Sequence, residues 1–356
     1  MTERVLMKGN EAIAEAAIKA GCRHFFGYPI TPQNELAAYM AKRMPQKDVS
    51  GVFLQAESEV AAINMVLGAA AAGVRVMTSS SSPGVALKGE GISYLIGSDL
   101  PCVIINIQRG GPGLGGIQPS QADYNMSTKA PGHGDGRMLV FAPSTVQEMV
   151  DTVFTVYELA EKYRMPAMLL CDGLLGQMME PVAFPEDTDI NISEKPWAVN
   201  GHKNQRPKNI VNSLYLQAPI LEKVVKERYK RYAEIEANET RAESYLTEDA
   251  ETLIVAYGAS ARVCRSAVVT AREQGMKVGL LRPITLWPFP KKEILEASKN
   301  AKNILVVEMS MGQMIDDVKL AVEFKMPVHF FGHTGGVVPT PAEVLAQLKE
   351  IGGAAI

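Results

Sequence analysis

Cysteine is scarce in this sequence, and the four present, Cys22, Cys102, Cys171 and Cys264, lie far apart without a Cys-x-x-Cys pair. That spacing offers no cluster-binding motif and fits small buried thiols of a reducing compartment. No metal site is expected in this chain. Charge of one sign is scarce as well. The 36 Lys and Arg against 39 Asp and Glu leave a net charge of −3, and the basic residues are scattered rather than striped, so nucleic acid is not an expected partner. No apolar run is long enough to span a bilayer, and Met1 to Gly9 has no apolar signal core. A cytoplasmic protein without membrane association is expected. A G-x-x-x-x-G-K-[ST] loop is also missing, which removes the P-loop NTPases.

What is present is a globular profile, 47% hydrophobic and 21% charged over 356 residues, long enough for two or three domains. The 18 methionines read as core filler. Strand and helix signals alternate through the first half: a helix from Asn10 to Ala20, strand His24 to Phe26, helix Gln33 to Lys42, strand Val52 to Gln55, a helix after it, strand Arg75 to Thr78 and helix Val85 to Gly97. Then come strand Pro101 to Gln108, strand Leu139 to Ala142, helix Val146 to Tyr163 and strand Pro166 to Cys171. Pro101 to Gln108 is a continuous apolar run, as in a central parallel strand.

The stretch from Gln55 to Gly84 organises the rest. In a helix, Glu59, Ile63 and Val66 share one face, setting a carboxylate at the head of an apolar stripe. Small neighbours (Ala61, Ala62, Gly68, Ala69 to Ala72) allow close packing, so that carboxylate is expected to be poorly hydrated, its pKa raised unless a partner compensates. Glu57 lies about 200° away around the helix and cannot share that face. The plainer alternative is a pair of solvated first-turn acids complementing the helix dipole. Upstream, Tyr28-Pro-Ile-Thr-Pro32 mounts the Thr31 hydroxyl between two prolines, with a simple turn and a Thr31 cap as the alternative. The serines from Ser79 to Ser82 offer hydroxyls and backbone donors to a polar ligand, or form an ordinary loop. Arg109 stands at the C-terminal end of a strand, where open α/β sheets gather ligand groups, with a surface ion pair as the alternative.

Gly111-Pro-Gly-Leu-Gly-Gly116 formally matches G-x-G-x-x-G, a dinucleotide fingerprint. Ile117-Gln-Pro119-Ser does not open a helix after it, so the expectation is a flexible loop near the site. Gly134-Asp-Gly136 reads as a turn that brings His133 toward the site. Residues 184–217 are rich in Asp, Asn, Pro and Lys without period, a linker or arm. A charged helix is expected from Pro219 to Glu248. A second, parallel α/β unit follows, with strands Thr252 to Tyr257, Lys277 to Leu281, Asn303 to Glu308 and Pro327 to Phe331 and helices Ala261 to Gln274, Lys291 to Lys299 and Gly312 to Phe324.

Tyr28-Pro-Ile-Thr-Pro32, Gln55-Ala-Glu-Ser-Glu59 and Arg109 after its apolar strand resemble the alpha subunit of 2-oxoacid:ferredoxin oxidoreductases, most nearly the branched-chain, 2-oxoisovalerate type. The likeness covers nearly the whole chain. It implies an α/β fold with a pyrimidine-type thiamine-diphosphate domain over residues 1–183, a linker arm and charged helix over 184–249, and a smaller transketolase C-terminal-like α/β domain over 250–356. It also implies oxidative decarboxylation of a 2-oxoacid to the acyl-CoA with reduction of ferredoxin, active only with partner subunits.

By the same resemblance Glu59 bonds the pyrimidine N1′, while Tyr28, Pro29 and Ile30 line the cofactor. Arg109 and the Thr31 hydroxyl hold the substrate carboxylate, a charge-assisted pairing. A beta subunit would carry the diphosphate, Mg²⁺ and an iron–sulfur cluster, with gamma and small ferredoxin-like subunits, ferredoxin and coenzyme A as further partners. The lack of a Cys motif agrees with that division. So does the lack of an Asn completing Gly134-Asp-Gly136 as an Mg²⁺ signature. The alternatives are the same chemistry on 2-oxoglutarate or pyruvate, an NAD-dependent dehydrogenase built on the glycine loop, and a noncatalytic assembly subunit.

Overall fold

The computed structural model describes residues 4–185, 192 and 194–352. Part of the expected linker, 186–191 and 193, and the outermost residues of the expected terminal domains lie outside that range. The first half runs β1 Arg4–Lys8, α1 Gly9–Lys19, β2 His24–Gly27, α2 Asn34–Arg43, β3 Val52–Gln55, α3 Glu59–Ala71, β4 Val76–Ser80, α4 Ser82–Leu87, α5 Gly89–Gly97, β5 Cys102–Gln108, α6 Tyr124–Thr128, β6 Leu139–Phe141, α7 Val146–Tyr163, β7 Pro166–Asp172, α8 Gly173–Gln177 and β8 Met179–Ala183. The second runs α9 Ala218–Asn238, β9 Ala242–Tyr245, β10 Thr252–Val255, α10 Gly258–Glu273, β11 Val278–Pro283, β12 Thr285–Trp287, α11 Lys291–Ala297, β13 Asn303–Glu308, α12 Met314–Ala321, β14 Val328–Gly332 and α13 Pro341–Ile351.

The large sheet has the order β12-β6-β7-β5-β4-β2-β3. Its centre is β5 paired in parallel with β7, both buried along their full length. Two-sided burial explains why these strands are apolar runs rather than alternating ones. Helices cover both faces; α7 begins at Thr145, whose side chain accepts from the Glu148 N–H, an N-cap that satisfies one of the free first-turn donors. The small sheet has the order β14-β13-β10-β11-β9.

Several elements depart from the sequence expectations. The helix expected over Val85 to Gly97 is two helices, α4 and α5, jointed at Lys88. The charged helix stops at Asn238, because the chain turns to lay β9 antiparallel on β11, which makes the second sheet mixed rather than parallel. Thr31 does not cap α2; Gln33 occupies that position. β1 pairs with β8 in a two-stranded ribbon that the sequence did not signal. β12 crosses from the second unit to pair antiparallel with β6, becoming an edge of the large sheet.

The irregular arm lies against the first unit. Lys195 and Arg75 both bond Glu161, at 2.6 and 2.8 Å, with all three side chains nearly inaccessible to solvent, and Val199 N–H donates to the Ala71 carbonyl at 2.8 Å. The two units are clasped at the C-terminal end of the large sheet. Gln121 Nε2 donates to the Tyr257 carbonyl at 2.9 Å, and its Oε1 accepts from Ser260 Oγ at 2.7 Å and Met309 N–H at 3.0 Å. Asp172 accepts from Leu174, Leu175 and, across the junction, Ala259 N–H. A Cβ at Gly258, whose φ is +55°, would lie 3.0 Å from Gln121 Nε2 and 3.3 Å from Asp172 Oδ2, so the approach requires glycine. Among the described residues no helix is long and apolar enough to cross a membrane.

Candidate active site

The chain passes from β2 to β3 on one side and then crosses to β4 and β5 on the other. The crevice of this sheet therefore lies between β2 and β4, at the point where strand order reverses. The loop after β2 carries Tyr28 to Pro32, the segment after β4 carries Ser81 and Ser82, and Arg109 follows directly on β5.

Glu59 is the first residue of α3 and only 6% exposed, whereas Glu57 is exposed. Ser58 turns the chain into the helix, its side chain accepting from the Ala61 N–H at 3.2 Å, and thereby fixes where Glu59 points. Among the described residues no hydrogen-bond donor reaches the Glu59 carboxylate. Its contact is the bare backbone of Gly84: a Cβ there would lie 2.6 Å from Glu59 Oε1 and 2.2 Å from Ser80 Oγ. Ser80 Oγ and the neighbouring Ser81 Oγ are themselves buried and unpartnered. The Glu59 carboxylate and the unpartnered Ser80 hydroxyl thus converge on the bare Gly84 backbone, the clearing left by its missing side chain.

Lys88 was not singled out by the sequence. Its side chain is completely buried, with Nζ donating to Thr78 Oγ1 at 2.6 Å and the Ser79 carbonyl at 3.1 Å. Burial pulls its pKa down to about 7, opposed by the charge of Glu59 and then of Cys102. Its available signal was thin: one lysine in the apolar stretch from Val85 to Leu95.

Arg109 is 7% exposed. Nη1 donates to the Thr31 carbonyl and Nη2 to the Leu114 carbonyl, each at 3.0 Å, while Nε is buried without a partner. Its backbone N–H donates to Ser82 Oγ at 2.9 Å, and that hydroxyl donates to Asp123 Oδ2 at 2.6 Å. Asn106 Nδ2 also reaches Asp123, at 3.0 Å. Burial raises the Asp123 pKa against these two bonds. This polar support of Ser82, Asn106 and Asp123 escaped sequence reading because the partners come from different elements.

The structure therefore brings Thr31 and Arg109 together through the Thr31 backbone. The half-buried Thr31 hydroxyl accepts from Asn34 Nδ2 at 3.3 Å. Tyr28 and Ile30 are half-buried and Pro29 is exposed. Gln33 ties this loop to the sheet, receiving Ser79 Oγ at 2.6 Å and donating to the Tyr28 carbonyl at 3.2 Å. Glu59 and Arg109 share no direct bond among the described residues; the Ser80 to Ser82 segment lies between them, Ser80 Oγ facing Gly84 as Glu59 does and Ser82 Oγ bonded to the Arg109 backbone.

The glycine loop closes on itself, with Gly116 N–H donating to the Gly110 carbonyl and Gly110 N–H to the Gln118 carbonyl. No helix opens until the short α6 at Tyr124, so no helix N-terminus receives a pyrophosphate there. His133 lines a mainly apolar cavity of about 410 Å³ with Val85, Met126, Met138 and Met168, in which neither Glu59 nor Arg109 takes part. All four cysteines are buried and unpaired, and among the described residues no group of three or more His, Cys, Asp or Glu is arranged to hold a metal ion.

Residues 15–249 match the family described as pyruvate flavodoxin/ferredoxin oxidoreductase, thiamine diphosphate-binding, and residues 250–344 match the pyruvate:ferredoxin oxidoreductase core domain II. The chain is 49% identical over 348 residues to the ketoisovalerate oxidoreductase subunit VorB of Methanothermobacter thermautotrophicus, covering 98% of each chain. A solved 2-oxoglutarate:ferredoxin oxidoreductase from Magnetococcus marinus superposes with a TM-score of 0.86 at 27% identity; the match covers 98% of this chain and 65% of that one. A split-gene transketolase shares the fold, with a TM-score of 0.61 at 14% identity over 97% of both chains.

Proposed function

Because the chain belongs to the thiamine diphosphate-binding pyruvate flavodoxin/ferredoxin oxidoreductase family, and is an alpha-type subunit of a 2-oxoacid:ferredoxin oxidoreductase, we propose that its substrate is a branched-chain 2-oxoacid such as 2-oxoisovalerate. The products are the acyl-CoA, CO₂ and reduced ferredoxin. The observation that carries the site is the Glu59 carboxylate, left without a protein donor at the clearing made by Gly84. The 49% identity to a ketoisovalerate oxidoreductase subunit supports the choice of substrate.

The residues fit the aminopyrimidine half of thiamine diphosphate: a carboxylate without a protein donor, the unpartnered Ser80 hydroxyl near it and a glycine whose Cβ would crowd both. When bound, thiamine diphosphate supplies the carbon nucleophile and the electron sink for decarboxylation. Glu59 holds a proton against the pyrimidine N1′ and so favours the imino tautomer. Tyr28, Pro29 and Ile30 line that side of the crevice. Arg109, already held by the Thr31 and Leu114 carbonyls, keeps Nε for the substrate carboxylate, with the Thr31 hydroxyl as second donor.

The diphosphate, Mg²⁺ and an iron–sulfur cluster belong on a beta subunit, with gamma and small ferredoxin-like subunits completing the assembly. Ferredoxin and coenzyme A are its other partners. Residues 1–183 form the pyrimidine-binding domain, 184–249 the arm and helix, and 250–356 the transketolase C-terminal-like domain. The cytoplasm, where four unpaired thiols stay reduced, is its compartment.

The test is anaerobic viologen reduction by the chain co-purified with its partners, given thiamine diphosphate, coenzyme A and a panel of 2-oxoacids. Fastest reduction with 2-oxoisovalerate is expected. Preference for 2-oxoglutarate or pyruvate would retain the chemistry and replace the substrate. No reduction in a complex shown to hold its clusters would overturn the catalytic reading.

A further inference from the structure

Lys88 is among the largest completely buried side chains of the molecule, yet both groups its ammonium bonds, Thr78 Oγ1 and the Ser79 carbonyl, are neutral. An ammonium has three donors, and these two leave one unspent. A buried cation needs a counter-charge. The charge of Glu59, from α3, acts on it without a direct bond among the described residues, and the thiol of Cys102 from β5 is the other titratable neighbour.

The local geometry makes that pairing specific. Lys88 follows Gly84 by four residues, and the Gly84 clearing is where Glu59 Oε1 and Ser80 Oγ meet. Lys88 Nζ is anchored on Thr78 and Ser79, the two residues of β4 immediately before Ser80. Lys88 is thus tied to the end of β4, while Glu59 of α3 packs against Gly84, one turn earlier in α4. Cys102 does not compete for the charge near neutrality, because burial pushes its thiol up to about 12.

We propose that Lys88 is a positioning residue for Glu59: its buried ammonium is the fixed counter-charge that keeps the carboxylate turned toward Gly84. The proposal rests on the reading of Glu59 as the group that meets the pyrimidine ring. A consequence follows from the titration of Lys88 near 7. Below that pH the ammonium is present and Glu59 is held. Above it the counter-charge is withdrawn, and the carboxylate loses its anchor.

The experiment is a calorimetric titration of thiamine diphosphate, with Mg²⁺, into the cofactor-stripped complex of this chain with its partner subunits, from pH 6 to 9. The wild type is expected to bind progressively more weakly as pH rises through neutrality. Lys88→Met is expected to bind tenfold or more weakly at pH 6 and to lose that pH dependence. In a Glu59→Gln background, Lys88→Met should change affinity less than twofold, since nothing remains for the cation to position. Should Lys88→Met fail to assemble, Lys88→Gln, which retains a polar head without the charge, gives the same comparison. A Lys88 variant with wild-type affinity and wild-type pH profile, while Glu59→Gln binds weakly, would overturn the inference alone. If Glu59→Gln itself binds and turns over normally, the reading of Glu59 fails first.

Discussion

The guanidinium of Arg109 donates to the backbone carbonyl of Thr31 at 3.0 Å, joining residues 78 apart in the chain. The contact uses Nη1, and Nη2 is committed to Leu114, so of the three guanidinium nitrogens only Nε is left without a partner, the one proposed to meet the substrate carboxylate. Planar donors fixed at two points with a third in a set direction are something an ammonium cannot reproduce.

Arg109→Lys should therefore raise the KM for the oxoacid on the order of tenfold or more, with a smaller loss in kcat. Steady-state kinetics of the assembled enzyme measure both. Unchanged constants would mean that the carboxylate is held elsewhere.

Glu59→Ala should retain the fold and lose turnover by roughly 10²- to 10⁴-fold, the range for a misplaced or missing acid–base group. The check is viologen reduction alongside circular dichroism. Near-normal activity would remove Glu59 from the chemistry.

Gly84→Ala would place a Cβ 2.6 Å from Glu59 Oε1 and 2.2 Å from Ser80 Oγ. Both groups must move, at a cost of about 1–3 kcal/mol, and the carboxylate leaves its position. Cofactor affinity and thermal midpoint should fall together. A variant that keeps both would show that the clearing is wider than the contacts imply.

Lys88 makes stability depend on pH with a definite sign. Its pKa is lowered from 10.5 to about 7 in the folded chain, so between those values the unfolded chain binds more protons and stability rises with pH. The contribution is complete above about 10.5 and is lost as pH falls toward 7, by up to about 1.4 kcal/mol per pH unit. The thermal midpoint of the wild type minus that of Lys88→Met should therefore increase from pH 7 to pH 10. A flat difference would place Lys88 in contact with water.

Much of the first unit was legible because burial on two faces leaves a strong mark: β5 and β7 are apolar runs. The structure buries Glu59 and exposes Glu57, as expected, but for another reason than helical angle: Glu57 precedes the Ser58 cap and lies outside the helix. Lys88 was not legible, since its burial is imposed by β4 and α3 folding over it rather than by its neighbours in sequence. Nor was the manner in which Thr31 meets Arg109, because a carbonyl contact is independent of the Thr31 side chain. β12 escaped for a related reason: three residues between prolines carry no periodicity, and its partner β6 lies far earlier in the chain.

That short strand bears on how the polypeptide tolerates cutting. A fragment ended near residue 249, between the two family matches, would leave β6 with a raw edge, its backbone donors and acceptors open to the next molecule. A shortened gene product that aggregates would then report a missing strand rather than an unstable first half, and a usable truncation would have to restore residues 285–287, for instance as a grafted hairpin.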